Sequence, residues 1–224
     1  PLGVIAILTF ALLCYRYSTG EQAPTLRAAM TLATILFSLA LMAHVIPGFS
    51  NLLVVRDAVL SPGAVPYTMY LNFDKAQIGL FLLASGPPLL ASRADWAAML
   101  KILLPAILVL IAALMLFAFI LGQVRYDPKW PAIFPIWAWA NLLFTCAAEE
   151  ALFRGVIQRQ LQGGSAWSNG ASARGLAGLA LAPIIFGAAH FAGGLWSVAL
   201  ATIAGIGYGW IYWRANRIEA SILA

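Results

Sequence analysis

Long apolar runs separated by short polar stretches dominate this chain. The runs are continuously apolar rather than alternating residue by residue, and lipid offers no water to bare backbone groups, so the pattern predicts membrane-spanning helices and not a barrel. The predicted fold class is all-α, a polytopic transmembrane helix bundle with seven spans visible and an eighth beginning at the C-terminal end. The spans are expected near residues 1–17, 26–46, 76–92, 98–122, 133–162, 173–192 and 194–213, with another starting at about residue 218.

Two features interrupt this pattern. The stretch 47–75 holds three prolines together with aromatic and charged residues, a mixture typical of the membrane interface, and short surface helices are expected there. Pro87 and Pro88 should break or kink the third span, because proline removes a helix hydrogen bond. Asp74 and Lys75 are expected to anchor the mouth of that span.

Composition supports a membrane setting and excludes several classes of protein. The chain is 62% hydrophobic and 9% charged, whereas a soluble domain is about a quarter charged. A secreted disulfide scaffold, a disordered chain and an ordinary cytosolic enzyme are therefore excluded. The net charge of +5 comes from scattered residues, which fits loops facing anionic lipid and argues against nucleic acid as a partner.

The distribution of Lys and Arg predicts an orientation. Loops after the first, third, fifth and seventh spans hold nine of these residues, or eight once Arg154 is assigned to the membrane, and the other side holds four, so the positive-inside rule puts loop 163–172 in the cytoplasm. The chain starts inside one apolar run and stops as another begins. We therefore expect a single transmembrane domain over residues 1–224, with a motif-bearing core at 133–213 and both termini truncated.

Three charged residues interrupt the hydrophobic run 133–162. A charge at mid-membrane costs on the order of 3 kcal/mol on insertion scales, so such residues are rare and usually functional. Glu150 and Arg154 are i,i+4 neighbours that can pair on one helix face. Glu149 lies about 140° around the helix from Arg154 and is expected to lack a local cation, an environment that suits a general base or acid.

His190 is the next ionisable residue within a predicted span. Glu149 lies about 20 Å above the 163–172 turn along one helix, and His190 lies about 25 Å above it along the next, which places them within one turn in depth. A Glu and a His at matched depth can jointly hold and deprotonate a water. The alternative is a histidine that only forms a hydrogen bond between helices, with the ionisable residues serving to pack the bundle.

The sequences Glu149-Glu150-xxx-Arg154 and Phe186-xxx-His190 resemble the first two motifs of the CPBP intramembrane protease family, which comprises CAAX proteases and bacteriocin-processing or self-immunity (Abi) relatives. The resemblance implies a bundle of about eight helices and endoproteolysis near the C-terminus of membrane-bound proteins. It also implies that Glu149 and His190 are the catalytic pair, supported by Glu150, Arg154 and Phe186. The third motif of the family, a His with an Asn four residues on, belongs to the helix that begins near residue 218 and is absent from the residues up to Ala224.

The predicted function is therefore that of an intramembrane endopeptidase with a membrane-anchored protein or peptide as substrate. A metal-free glutamate mechanism without a cofactor is favoured because no HExxH motif is present. Zinc stays open, since Glu and His are both zinc ligands. The expected location is a multi-pass position in a bacterial or archaeal inner membrane. The alternatives are a non-catalytic membrane scaffold or bacteriocin self-immunity protein and, ranked lower, a proton-coupled transporter, which would need inverted repeats.

Overall fold

The computed structural model describes residues 1–19, 22–163 and 173–224, and it is mostly helical. The elements of the first half are α1 (Leu2–Ser18), α2 (Pro24–Met42), β1 (Leu52–Ala58), β2 (Tyr67–Leu71), α3 (Phe73–Ala84) and α4 (Arg93–Ile120). The second half holds α5 (Phe134–Ala140), a π-helical segment (Asn141–Cys146), α6 (Ala147–Leu152), a second π-helical segment (Phe153–Gln158), α7 (Arg159–Leu161), α8 (Ala173–Ala188), a 3₁₀ turn (Phe191–Gly193), α9 (Gly194–Ala215) and α10 (Ile218–Ile222).

Three helical stretches in the described residues are long and apolar enough to cross a membrane, namely Pro24–Met42, Arg93–Ile120 and Phe191–Ala215. Two shorter apolar helices, Leu2–Ser18 and Arg174–Ala188, accompany them. The fold agrees with the predicted helical membrane protein, whereas the count of seven or eight spans stays a prediction. The loop 163–172, whose side of the membrane the charge distribution predicts, lies outside the described residues apart from Gly163.

The stretch expected to form short surface helices instead forms an antiparallel β-hairpin. Strands β1 and β2 pair in a register that joins Leu52 with Leu71 and Ala58 with Tyr67, with irregularities between. Prolines exclude a helix across the connection, and Gly63, at φ +75°, supplies the backbone conformation that the turn requires. Val55 and Met69 turn one face of the hairpin toward Ala140 of α5, so the hairpin is packed and not a loose interfacial segment.

Two predicted spans end earlier than expected. Helix α3 stops at Ala84, before the Pro87-Pro88 pair, and its 12 residues measure about 18 Å against a bilayer core of about 30 Å. Helix α8 stops at Ala188, and His190 follows it at the start of the 3₁₀ turn. Gly194, at φ +83°, allows the chain to reverse there. His190 therefore lies at a helix end and not inside a span.

The chain forms two compact units. The first unit comprises Pro1–Pro87 and Asp127–Leu152, and the second comprises Pro88–Tyr126 and Phe153–Ala224. The expected single transmembrane domain stays a prediction.

In the first unit, aromatic rings and a close helix contact hold α1, α2, α3 and α6 together. The ring of Phe10 is fully buried, stacks on Phe37 at 5.2 Å and meets the edge of Phe81 at 6.2 Å. Gly79 of α3 approaches α6 so closely that an added Cβ would lie 3.1 Å from the backbone of Ala147. This close approach brings the start of α3 near the carboxylates of α6.

In the second unit, glycines let α8 and α9 pack closely. A Cβ added at Gly205 would lie 3.1 Å from the Cα of Pro183, and one at Gly209 would lie 2.9 Å from the side-chain oxygen of Gln158. Both glycines thus have the packing role predicted for small residues in membrane helices. Helix α4 adds a buried apolar cluster in which Met99 and Leu103 pack with Ile211.

Candidate active site

Glu149 lies on α6 in the first unit and forms an ion pair with Lys75. The Nζ atom of Lys75 is 2.7 Å from Oε1 of Glu149, and the two side chains are only 12% and 15% exposed. The expectation that Glu149 lacks a local cation is therefore wrong. Helix geometry could not reveal the partner, because Lys75 comes 74 residues earlier in the chain. The expectation that Lys75 only anchors the mouth of a span is corrected by the same contact.

The first turn of α3, which carries Lys75, is fixed by a chain of hydrogen bonds. Asn51 accepts the backbone N–H of Phe73 at 2.8 Å, and one oxygen of Asp74 accepts that of Lys75 at 2.8 Å. The other oxygen of Asp74 is 2.7 Å from Nδ1 of His44, and the Asp74 side chain is 3% exposed. One of these bonds is made by the N–H of Lys75 itself, and the others fix the two residues that precede it.

Glu150 is buried in the first unit, 3% exposed, and Arg154 belongs to the second unit. The Glu150–Arg154 pair stays a prediction. The spacing behind it assumed an α-helix, yet a π-helical segment begins at Phe153, and from there 100° per residue no longer applies. The two π-helical segments border α6 in sequence; such segments are rare and frequently lie at functional sites.

Arg154 is completely buried in the second unit, where backbone and aromatic groups surround its guanidinium. One N–H group donates to the carbonyl of Gly205 at 3.0 Å. The Cζ atom lies 4.5 Å from the centre of the Phe186 ring and 5.4 Å from that of Tyr208. A carbonyl dipole and two aromatic faces all stabilise a cation.

Phe186 links Arg154 to His190. Its ring meets that of Phe153 edge-on at 5.0 Å and lies 4.7 Å from the imidazole of His190. The Nδ1 atom of His190 is 2.8 Å from the carbonyl oxygen of Phe186. Because a carbonyl only accepts hydrogen bonds, Nδ1 carries the proton, and in the neutral ring Nε2 keeps a lone pair. The half-buried imidazole can therefore accept a proton or hold a water through Nε2.

The predicted site residues thus fall into two groups. The second unit brings together Arg154, Phe186 and His190, and the first unit holds Glu149 and Glu150. Sequence reasoning missed Lys75 as the partner of Glu149 and Tyr208 as a second ring facing Arg154. A single lysine at the start of an apolar helix was the one available signal for Lys75. The joint action of Glu149 and His190 stays a prediction.

A metal site was left open by the sequence. Across the described ranges 1–19, 22–163 and 173–224, no group of three or more His, Cys, Asp or Glu side chains could hold a metal ion. At Glu149, moreover, the Lys75 ammonium already lies against Oε1. A metal bound at that oxygen would meet a positive charge within ion-pair distance.

Comparison with known families gives one match. Residues 128–224, a little under half of the chain, match the family described as Type II CAAX prenyl endopeptidase Rce1-like. The resemblance predicted from the two motifs is confirmed over these residues, which include Glu149, Glu150, Arg154, Phe186 and His190. No curated protein and no solved structure gave a match.

Proposed function

We propose that this integral membrane protein is an intramembrane endopeptidase that cleaves membrane-anchored proteins or peptides near their C-terminus. One observation carries the proposal: the residues that match an endopeptidase family include both members of the predicted catalytic pair, Glu149 and His190. The local chemistry supports it. Glu149 has a cation that favours its ionised form, and His190 has a ring nitrogen with a lone pair.

The proposed reaction begins with a water held by Glu149 and by Nε2 of His190. Glu149 takes a proton from this water, and the resulting hydroxide attacks the carbonyl carbon of the scissile peptide bond. A tetrahedral oxyanion forms, and it collapses with cleavage of the C–N bond. Glu149 then returns its proton to the leaving amine, which restores the carboxylate. In the second unit, Phe186 keeps His190 oriented through its carbonyl oxygen.

A metal-free mechanism is proposed over a zinc-dependent one. The ammonium of Lys75 already occupies Oε1 of Glu149, the oxygen whose lone pair a metal would need. A metal ion bound there would also be repelled by the nearby ammonium, since both are cations. Cleavage by the purified protein is therefore expected to continue in the presence of a strong chelator. Loss of activity on chelation that zinc restores would refute the metal-free mechanism.

The proposed side of cleavage follows from the charge distribution. We place the protein in a bacterial or archaeal inner membrane with loop 163–172 in the cytoplasm, so Glu149 acts in the outer half of the bilayer. This orientation favours an exported protein with a C-terminal membrane anchor as substrate. A reporter enzyme that works only in the cytoplasm is expected to be active when it is fused within the loop. Activity of a reporter that works only outside the cell would reverse the assignment.

A non-catalytic scaffold is the second candidate, and the Lys75–Glu149 ion pair favours it. A buried ion pair can serve only to define how two helices pack. In that case, loss of Glu149 would reduce the amount of folded protein, and there would be no cleavage activity to lose.

The test is Glu149→Gln, assayed with a transmembrane reporter substrate in proteoliposomes. Cleavage is expected to fall by at least about a hundredfold, because an amide cannot take the proton. Since the substitution removes the counter-ion of Lys75, Glu149→Gln/Lys75→Met, in which both charges are gone, checks that the loss is chemical and not a folding defect. Glu219→Gln is the matched control: Glu219 is also buried, 8% exposed, and accepts the N–H of Leu90, which an amide oxygen can do equally well.

Folded Glu149→Gln protein that still cleaves at the wild-type rate would exclude Glu149 as the base. The scaffold would be favoured by three results together. Glu149→Gln would fail to fold, the double variant would not restore folding, and Glu219→Gln would fold and cleave normally. Absence of cleavage by the wild type on every anchored substrate would count against the protease altogether.

A further inference from the structure

We propose that Lys75 is a positioning residue for Glu149: its ammonium balances the charge of the carboxylate and holds Oε1, so that Oε2 is the oxygen that faces the water. This inference rests on the proposed proteolytic function and extends it to a residue outside the matched residues 128–224. No motif in the sequence points to Lys75. The assignment comes from the geometry of the first unit alone.

The contact is short and shielded from solvent. The Nζ atom lies 2.7 Å from Oε1, and neither side chain is more than 15% exposed. In such surroundings water screens charges poorly, so the attraction between ammonium and carboxylate is several times stronger than at a surface. Burying a carboxylate without a cation is costly, so the ammonium of Lys75 stabilises the charge that Glu149 carries as the base.

The backbone around Lys75 is built to hold the ammonium in place. The first turn of α3 is fixed by Asn51, which accepts the N–H of Phe73, and by Asp74, which accepts the N–H of Lys75. Asp74 is fixed in turn by His44, which follows α2 in a left-handed conformation at φ +58° that non-glycine residues rarely adopt. Such support for a lysine backbone is expected where the direction of its side chain matters.

A second ion pair in the first unit provides a comparison. Lys129 pairs with Asp127, two residues earlier in the chain, and also donates to Ser61. The side chains of the ion pair are 34% and 43% exposed. Exposed pairs of this kind contribute little because water screens them. Lys129 is therefore a matched control. It carries the same charge in the same unit, but it is less shielded from solvent and its partners are Asp127 and Ser61 instead of Glu149.

Titratable groups on two elements of the first unit lie near Glu149. On its own helical run they are Cys146 and Glu150, and from α3 they are Lys75 and, next to it, Asp74 with its partner His44. Among these groups Lys75 is the cation in direct contact with Glu149.

The experiment compares Lys75→Met, Lys75→Arg and Lys129→Met in proteoliposomes, with kcat and KM measured from pH 5 to pH 9 per amount of folded protein. In Lys75→Met we expect kcat to fall with KM unchanged, and the acidic limb of the kcat/KM profile to move to higher pH. The resulting loss is about tenfold at pH 6 and smaller at pH 8. Lys75→Arg, which keeps the charge, should restore most of the activity and the wild-type profile. Lys129→Met should match the wild type throughout.

Two results would overturn the assignment. One is a pH profile in Lys75→Met that superimposes on the wild type, because a purely structural lysine would lower the amount of folded protein without moving the profile. The other is loss of folded protein in both Lys75→Met and Lys75→Arg, which would make the ion pair a packing device. Neither result touches the proposed function, whose failure would appear separately as a wild-type protein that cleaves nothing or as a fully active Glu149→Gln variant.

Discussion

The two units stabilise a buried charge in opposite ways. In the first unit, Glu149 is balanced by a full opposite charge, the ammonium of Lys75 at 2.7 Å. In the second unit, the neighbours of the fully buried Arg154 include a backbone carbonyl and two aromatic rings. The partner in the first unit is thus an ionised side chain, whereas the contacts of Arg154 include groups that never titrate.

This difference distinguishes a residue that is suited to catalysis from one that is suited to structural support. A carboxylate next to an ammonium can change its protonation state during a reaction, so the first unit is suited to hold a base. A guanidinium stays charged at every accessible pH, and carbonyl dipoles and ring faces stay as they are, so the surroundings of Arg154 are suited to fix helices. Phe186 connects this fixed cation with His190 and gives the imidazole a stable orientation.

The largest expected effect on stability concerns Arg154. Lysine at this position keeps the charge but loses the planar shape that lies on Phe186 while donating to Gly205. Arg154→Lys is therefore expected to lower the free energy of unfolding by about 3 kcal/mol, since a buried charge is left with poor partners.

The measurement is the free energy of unfolding of the wild type and of Arg154→Lys in mixed detergent micelles. Wild-type stability in Arg154→Lys would mean that any cation suffices at this position. The contrast between the units would then vanish, because the shape of the guanidinium would have no special role.

The extent to which the sequence predicted this molecule follows the range of the interactions. Helix α4 and helix α9 were predicted to within five residues at each end, because apolar runs report local burial in lipid. The motif residues were found because their spacing is local. The hairpin of β1 and β2 was missed, since an interfacial mixture of aromatic and charged residues is compatible with either short helices or strands.

Within the site, the sequence identified residues but not their partners. Lys75 meets Glu149 only because α3 packs closely against α6 through Gly79, a contact that links residues 74 positions apart. The carbonyl that accepts the hydrogen bond from Arg154 belongs to Gly205. Every residue has a backbone carbonyl, so the sequence cannot indicate which one is the acceptor. The position of His190 beyond the end of α8 depended on a turn through Gly194 that hydrophobicity does not report.

The next effect tests how the environment of Arg154 depends on close packing. A Cβ at Gly205 would lie 3.1 Å from Pro183 and 3.2 Å from the ring of Phe186. Gly205→Ala is therefore expected to separate α8 from α9 and to cost about 1–2 kcal/mol in the free energy of unfolding. It should also lower cleavage, because Phe186 orients His190.

The control for this variant is Ile206→Ala on the same helix, whose side chain is 55% exposed and should change stability little. Equal losses in Gly205→Ala and Ile206→Ala would show that the loss in Gly205→Ala does not come from the close approach at this glycine. The orientation of His190 would then depend on something other than the approach of the two helices.

The smallest effect concerns burial without a charge partner, at Tyr67 in the hairpin of the first unit. Burial raises the pKa of the Tyr67 phenol above its usual value of 10.0, and a hydrogen bond from the Trp137 side chain offsets part of that rise. Because the folded-state pKa is raised, this contribution to stability is present below the unfolded pKa and is lost as the pH rises through the folded pKa. Tyr67→Phe should therefore reduce the loss of stability above about pH 10, as measured by thermal unfolding between pH 9 and pH 11.5. Trp137→Phe should move the absorbance titration of Tyr67 to still higher pH; a shift to lower pH would mean that the indole opposes the phenolate, unlike the ammonium that supports Glu149.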